Sequence, residues 1–288
     1  LSVTLVCRFT TELRDLCSQG LMQRMNRPLT IATRRGELAL AQTRLVAEML
    51  KAGRPGLEVR VHEMTSAGDA DRSTALWNLK DTGFFTSSLE HALLAGEADV
   101  AVHSFKDLPT GQREGLAVTA ICDRRWPEDC LLAKTPVASI YELPASARIG
   151  TSSLRRAAQL RHLRPDLQVI PLRGNVQTRI RKLHTPEFDA IVLARAGLER
   201  LGLTDAVSVV LDPREFIPAP AQGALAIQTR SDDEETVAIV RSIDDELSRA
   251  VAVAERQVLT TTQCGCHAPV GAYATCRSGK IRVDAFIS

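Results

Sequence analysis

The stretch from residue 99 to residue 109, Asp-Val-Ala-Val-His-Ser-Phe-Lys-Asp-Leu-Pro, constrains the fold more than any other part of the chain. Val100–Val102 is short and apolar, which predicts a buried strand of a parallel sheet. Lys106 and Asp107 follow that strand closely, and Pro109 prevents a regular continuation. Because ligands of open α/β sheets bind beyond the carboxyl ends of the strands, these two residues are a candidate acid/base pair. A solvated loop pair is the alternative that this stretch alone leaves open.

The same order of strand, turn, helix and strand occurs twice along the chain. The segments are 29–33, 38–49, 57–61 and 98–104 in the first half, and 147–150, 154–163, 167–172 and 188–194 in the second. Right-handed crossovers make each unit part of a parallel sheet. We therefore predict an α/β fold with two lobes of the type II periplasmic-binding-protein kind and a central cleft. A small C-terminal α+β domain, which we expect to be truncated, completes the prediction.

Two crossing segments, 123–127 and 214–223, separate the expected domains 1 and 2. The expected domain limits are 25–122 with 223–243 for domain 1, 128–216 for the Arg-rich domain 2, and 246–288 for an incomplete domain 3. The Pro-rich stretch 214–223 is expected to return the chain from the second lobe to the first. Residues 1–24 have no sustained apolar core typical of a signal peptide, and we expect a non-native or disordered extension that adds nothing to the fold.

Positive charge is concentrated in one part of the chain. The net charge is +2, but residues 148–182 hold nine Arg and Lys residues against one acid. Two junctions between a strand and a helix lie in this region, and free N–H groups at a helix start bind carboxylates or phosphates. Guanidinium groups bind carboxylates through paired hydrogen bonds, so the pattern favours a ligand with several carboxylates. The arginines at the two junctions are Arg155, Arg156, Arg173 and Arg179.

Phosphate or an RNA backbone is the competing ligand for this basic region, and the tract 179–182 would allow it. Two Trp and two Tyr supply few stacking platforms, which argues against single-stranded nucleic acid. For Arg161 and Arg164 a solvated helix face is the preferred interpretation. No apolar run reaches the length of a transmembrane helix, so we expect no membrane partner.

Seven cysteines, an odd number without paired spacing, indicate a reducing compartment. The segment 263–271 reads Gln-Cys-Gly-Cys-His-Ala-Pro-Val-Gly and contains Cys264 and Cys266. No second Cys/His cluster lies nearby to complete a tetrahedral zinc site, so we expect no metal. A thiol in such a Gly/Pro loop can be a covalent attachment point or a nucleophile, whereas a buried apolar Cys is the common alternative.

Eight segments, taken in order, resemble the porphobilinogen deaminase family, also called the hydroxymethylbilane synthases. The resemblance runs from about residue 25 to residue 288. The segments are IATR at 31–34 with LALAQ at 38–42, ADVAVHSFKDLP at 98–109, GTSSLRR at 150–156, LRGNVQTR at 172–179, AGLERLG at 196–202, PAQGA at 220–224, AER at 254–256 and GCHAPVG at 265–271.

The resemblance implies a cytoplasmic, three-domain transferase of tetrapyrrole synthesis that acts as a monomer. Such an enzyme joins four porphobilinogen molecules head to tail into hydroxymethylbilane and releases ammonia at each step. A dipyrromethane cofactor, held by a thioether on a cysteine, primes the reaction. By position Cys266 matches that cysteine, and Asp107 matches the catalytic residue.

The resemblance also implies which residues bind cofactor and substrate. The cofactor residues would be Cys266, Lys106, Arg34, Ser104, Thr151, Ser152, Ser153, Arg155, Arg156, Arg173 and Gly174. The substrate residues would be Arg34, Arg179, Arg200 and Gln222. The chain departs from the family pattern at Gly36, where the family usually has Ser, and in the segment 81–88, where a loop cation is missing. A non-catalytic, two-lobed carboxylate-binding module is the alternative if these departures and the truncation abolish activity.

Overall fold

The computed structural model describes residues 3–6, 27–64, 87–262 and 269–288. The strands are β1 (Val3–Val6), β2 (Leu29–Arg34), β3 (Val59–Met64), β4 (Val100–Ser104), β5 (Leu116–Cys122), β6 (Asp129–Ala133), β7 (Arg148–Gly150), β8 (Gln168–Ile170), β9 (Ala190–Ala194), β10 (Val209–Val210), β11 (Leu225–Arg230), β12 (Val270–Arg277) and β13 (Lys280–Ile287). The helices are α1 (Glu37–Gly53), α2 (Ser87–Leu94), α3 (Leu154–Leu163), α4 (Val176–Leu183), α5 (Arg195–Arg200), α6 (Glu234–Arg241) and α7 (Glu246–Thr261).

The first lobe is a five-stranded sheet with the order β3-β2-β4-β11-β5. β2 is parallel to β3 and β4, whereas β11 is antiparallel to β4 and β5. Of the apolar positions that predicted α1, Leu45 and Met49 are half-buried and pack against the core of this sheet. The buried face of the helix is formed by Val46 and Leu50, which lie in one cluster with Leu29 and Val100. The strand before Lys106 and Asp107 is therefore a central, buried strand, as predicted.

The second lobe repeats this topology with the order β8-β7-β9-β6-β10. β7 is parallel to β8 and β9, and β6 is antiparallel to β9 and β10. In each lobe the antiparallel strand is the first one that the chain forms after it crosses from the other lobe. This exchange of strands is the arrangement of type II periplasmic-binding-protein lobes, and it confirms the predicted fold class.

Polar side chains fix where several helices begin. Ser153 accepts a hydrogen bond from the N–H of Arg156 at the start of α3, and Asn175 accepts one from Thr178 at the start of α4. Each cap satisfies an N–H that has no partner inside its helix. These caps hold both Arg-rich junctions of the second lobe at the carboxyl ends of their strands.

A third, smaller sheet joins the C-terminal strands to the N-terminal segment. β12 and β13 pair antiparallel, and α7 packs on them through Val251, Ala274 and Ile281. β1 pairs with the other edge of β13. This pairing of Val3–Val6 differs from the expectation that residues 1–24 add nothing to the fold. The reason is that the edge of β13 offers unpaired backbone groups to any extended segment.

Over the described ranges of the chain, none of the helices combines the length and the apolar character needed to cross a bilayer.

Candidate active site

The candidate site lies at the carboxyl end of β4, where a single 3₁₀ turn, Phe105–Asp107, follows the strand. Lys106 Nζ donates a hydrogen bond to Gln222 Oε1 at 3.1 Å, and Asp107 is exposed. Burial lowers the pKa of Lys106 to about 8. The negative charge of the adjacent Asp107 opposes this shift. An ammonium group that titrates near pH 8 beside an exposed carboxylate can hold an anion and can exchange a proton.

Two polar side chains hold the end of β4 in place. Ser104 Oγ accepts a hydrogen bond from Gln42 Nε2 of α1 at 2.9 Å. His103 is buried, and its Nε2 lies 3.1 Å from Gln228 Oε1 of β11. Burial lowers the pKa of His103 to about 4; the hydrogen bond to Gln228 opposes this shift, and the charge of Arg34 adds to it. Arg34, the last residue of β2, therefore lies near the same strand end.

The turn before α3 uses its hydroxyl groups to hold its own shape. Ser152 Oγ donates to Leu172 O at 2.8 Å, and Thr151 Oγ1 accepts from the N–H of Ser153 at 3.2 Å. Ser153 is the cap of α3. The structure thus places all three predicted residues at one strand-to-helix junction.

The side chains of Arg155 and Arg156 are buried and converge on one carboxylate. Asp129, the first residue of β6, lies 2.8 Å from Arg155 Nη2 and 2.7 Å from Arg156 Nη2. Burial raises the pKa of Asp129, but the two guanidinium groups outweigh burial and hold that pKa well below its usual value. The sequence pattern does not single out Asp129, because an acid at the start of an apolar strand is only a weak signal.

The second Arg-rich junction depends on a glycine. Gly174 has a φ of +120°, and a Cβ atom there would lie 2.7 Å from the side chain of Thr178. Arg179 Nε donates a hydrogen bond to Gly174 O at 2.7 Å. Burial and the positive charge of Arg156 lower the pKa of Arg179 to about 10. The negative charge of Asp107 opposes this shift. The charge of Asp107 in the first lobe therefore reaches Arg179 in the second lobe.

Arg200 and Gln222 lie where the chain crosses between the lobes. Arg200 Nη2 donates to Asp123 Oδ2 at 2.8 Å and to Gly223 O at 2.6 Å. Gln222 Nε2 donates to Pro127 O at 2.8 Å. Both side chains therefore join the outgoing crossing segment to the returning one, a contact that sequence analysis did not anticipate.

Together these elements form a cleft rich in cations. Its charged members are Lys106, Arg155, Arg156, Arg173 and Arg179 with the acids Asp107 and Asp129. An excess of positive charge between two lobes suits a ligand with several carboxylates. Among the residues that the structure describes, no group of three or more His, Cys, Asp or Glu side chains could hold a metal ion.

Parts of the predicted site lie outside the described residues. They include Cys264, Cys266 and most of the departing segment 81–88. The other departure is described: Gly36 precedes α1 with a φ of +134° and makes no side-chain cap. That backbone conformation disfavours Ser, so the turn differs locally from one that a Ser would cap.

Comparisons with known proteins agree on one family. A family model described as porphobilinogen deaminase, dipyromethane cofactor binding domain, matches residues 29–238. A porphobilinogen deaminase from Desulforudis audaxviator is 46% identical over 264 residues, which cover 92% of this chain and 85% of that protein. A porphobilinogen deaminase from Roseiflexus sp. is 46% identical over 250 residues, which cover 87% of this chain and 82% of that protein. A porphobilinogen deaminase from Xanthomonas oryzae pv. oryzae is 47% identical over 246 residues, which cover 85% of this chain and 81% of that protein.

Proposed function

Because the chain belongs to the porphobilinogen deaminase family, we propose that its cleft joins four porphobilinogen molecules head to tail into hydroxymethylbilane and releases ammonia at each step. The observation that carries this proposal is Asp107, an exposed carboxylate coupled to the cations of the cleft. Porphobilinogen carries two carboxylates and an aminomethyl arm on one pyrrole ring. Such a molecule fits several cations around a single acid.

The proposed reaction needs one acid/base group and firm positioning. The C–N bond of the aminomethyl arm breaks, the nitrogen takes up a proton and leaves as ammonia, and a cationic methylene group remains. The free α carbon of the neighbouring pyrrole then forms the new C–C bond and loses its proton. Asp107 can stabilise the cation, hold the pyrrole N–H groups and move both protons, because a carboxylate can serve as acid and base in turn.

The cleft residues fit the dipyrromethane of the family. Arg173 Nη1 is buried and has no hydrogen-bond partner within the described ranges, so a ligand carboxylate would satisfy it. When bound, the dipyrromethane supplies the pyrrole carbon to which the first substrate is joined. In this proposal its thioether is on Cys266, and the residues around it are Lys106, Arg34, Ser104, Thr151, Ser152, Ser153, Arg155, Arg156, Arg173 and Gly174.

Substrate carboxylates are held from both lobes in this proposal. The residues are Arg34, Arg179, Arg200 and Gln222. The coupling of Arg179 to Asp107 and the place of Arg34 near His103 support the first two. Arg200 and Gln222 would act at the crossing, where they also fix the relation of the lobes. Holding the reacting carbons together in this way can lower the barrier by several kcal/mol.

We also propose that the protein acts in the cytoplasm as a monomer, without a nucleic-acid or membrane partner. The small net charge of +2, the few aromatic residues and the unpaired pattern of cysteines support this proposal. The domain limits 25–122 with 223–243, 128–216 and 246–288 are part of the same proposal. A non-catalytic binding module is not favoured, because the relatives are named as deaminases over most of the chain.

Asp107→Asn tests the proposed function. We expect the variant to fold and to keep its cofactor, but to form bilane at least about a hundredfold more slowly, because an amide cannot move a proton. Bilane is measured as porphyrin absorbance after cyclisation and oxidation. Asp205→Asn, at an exposed acid of the second lobe, is the matched control and should keep the wild-type rate. A folded Asp107→Asn protein with an unchanged rate would remove Asp107 from the mechanism.

A further inference from the structure

Asp129 has no role in the proposal above, yet it contacts three residues that do. Its Oδ1 accepts hydrogen bonds from Arg156 Nη2 at 2.7 Å and from Gln222 Nε2 at 3.0 Å. Its Oδ2 pairs with Arg155 Nη2 at 2.8 Å. The carboxylate is fully buried. One acid thus connects the start of α3 to the segment that returns the chain to the first lobe.

The contacts leave little freedom to the two guanidinium groups. Adjacent residues of a helix point about 100° apart, so the side chains of Arg155 and Arg156 would ordinarily diverge. Here both bend towards the carboxylate of Asp129, which they share. Each group is also fixed by a carbonyl: Arg155 donates to Ile217 O at 2.7 Å, and Arg156 donates to Val192 O at 3.0 Å. Protein groups alone therefore orient both side chains.

The negative charge of Asp129 makes this orientation possible. Two buried guanidinium groups side by side repel each other, and burial lowers the pKa of Arg155 while Asp129 raises it. Without the carboxylate, the two groups would favour positions in contact with water. The single negative charge of Asp129 offsets part of the positive charge of the two guanidinium groups. The remaining positive charge is available to a ligand.

Asp129 also acts on the first lobe through one amide. A carboxylate only accepts and an ammonium group only donates, so Gln222 must turn its NH₂ group towards Asp129 and its carbonyl towards Lys106. The structure has this orientation, with Lys106 Nζ 3.1 Å from Gln222 Oε1. Together with the carbonyl oxygens of Pro127 and Glu128, which accept from the same NH₂ group, Asp129 fixes which end of Gln222 faces the lysine that precedes Asp107.

We propose that Asp129 is a positioning residue of the cleft: it holds Arg155 and Arg156 in place for ligand carboxylates and, through Gln222, holds Lys106 beside Asp107. This inference rests on the proposed function, because it gives these cations a ligand. In this inference Asp129, which is fully buried, acts through its protein partners.

The first test reads the arginines directly and needs no turnover. Purified wild-type protein and Asp129→Asn are treated with phenylglyoxal, and modification of each arginine is followed by peptide mass mapping. We expect Arg155 and Arg156 to react at least about tenfold faster in the variant, because the neutral amide holds them weakly. Asp189→Asn removes a surface acid that pairs with Arg148 in the same lobe, and it should leave both rates unchanged. Unchanged rates in folded Asp129→Asn would overturn the proposal.

The second test is kinetic. For Asp129→Asn we expect the KM for porphobilinogen to rise about tenfold, with a smaller fall in kcat, and the alkaline limb of kcat/KM to move to lower pH. The charged groups that face Lys106 are Asp107, Arg156, Asp129 and Arg155. Loss of the negative charge of Asp129 therefore favours the neutral form of Lys106. A KM and an alkaline limb like those of the wild type would contradict the inference.

Gln222→Met serves if Asp129→Asn does not fold, because it leaves both guanidinium contacts of Asp129 intact. We expect Lys106 to lose its acceptor and the alkaline limb to move to lower pH in this variant too. An unmoved limb would overturn the link through Gln222. A wild-type chain that makes no bilane would instead defeat the proposed function, and the phenylglyoxal rates would still decide the role of Asp129.

Discussion

His103 and Lys106 both lie at the end of β4, and burial lowers the pKa of each, to about 4 and about 8. At neutral pH the imidazole is therefore neutral and the ammonium group is charged. Only Lys106 can then hold a carboxylate, whereas His103 serves as the hydrogen-bond partner of Gln228. The two residues are close in the sequence, and only their surroundings in the folded chain separate their roles.

The buried, neutral His103 should weaken the fold in mild acid. Its pKa of about 4 lies below the ordinary value of 6.5, so between these pH values the unfolded chain binds more protons and stability falls as the pH falls. For His103→Gln we expect this loss of unfolding free energy to shrink by about 2 kcal/mol, as measured by urea titrations across that range. His162→Gln, at an exposed position, should leave the loss unchanged. Equal losses in wild type and His103→Gln would contradict the assignment.

Lys106 should make substrate binding sensitive to alkaline pH. Its charge is lost as the pH rises through about 8, so we expect the KM for porphobilinogen to rise between about pH 7 and pH 9. Arg keeps its charge throughout this range, and Lys106→Arg should therefore show a flatter KM profile, even if its kcat is lower. A wild-type KM that stays constant to pH 9 would show that the charge of Lys106 does not hold substrate.

The two strand-to-helix junctions of the second lobe position the arginines by different means. The junction before α3 is held by the hydroxyls of Thr151–Ser153, and the junction before α4 depends on Gly174. Both could be predicted from the sequence, because capping residues and glycines act locally. The pairing of β1 with β13 could not, because an edge strand accepts segments from any distance along the chain.

Gly174→Ala tests the second junction. The added methyl group meets both an unfavourable φ of +120° and the side chain of Thr178 at 2.7 Å. We expect a loss of about 1–3 kcal/mol in the free energy of unfolding and a higher KM, because Arg179 bonds to the carbonyl of residue 174. Gly111→Ala, where a Cβ atom would meet nothing within 4 Å, is the matched control. Equal stability of the two variants would show that the junction tolerates a side chain.

At the scale of the whole molecule, α7 of the third sheet is tied to both crossing segments through Glu255. This buried carboxylate pairs with Arg124 and accepts hydrogen bonds from the N–H groups of Ala221 and Ala274, each at 2.7 Å. Arg124 lies on the outgoing segment and Ala221 on the returning one. One side chain therefore links the third sheet to the hinge between the lobes.

Glu255→Ala should destabilise the whole chain. The change leaves the guanidinium group of Arg124 buried without its partner, so we expect a loss of about 3–5 kcal/mol, measured by thermal and urea unfolding. Glu246→Ala removes an exposed acid from the same helix and should cost about 1 kcal/mol or less. Similar losses in both variants would show that Glu255 does not link the domains.

The sequence predicted the two lobes and the cationic cleft, because repeated apolar strands and clustered arginines are visible in order along the chain. It did not predict the partners of those arginines. Asp129 meets Arg155, and Asp123 meets Arg200, only after the chain has left the first lobe and β6 has entered the sheet of the second. Such contacts depend on the exchange of strands, and no local pattern of residues encodes them.

The intact mass of the purified chain, with a peptide map across Cys266, tests the central claim most directly. The chain is measured as purified and after incubation with porphobilinogen. The account predicts an added mass that corresponds to a dipyrromethane and maps to Cys266, which requires that the cleft has bound and joined two pyrrole units. A folded chain that stays unmodified, with or without porphobilinogen, would contradict the claim that this cleft is a working deaminase.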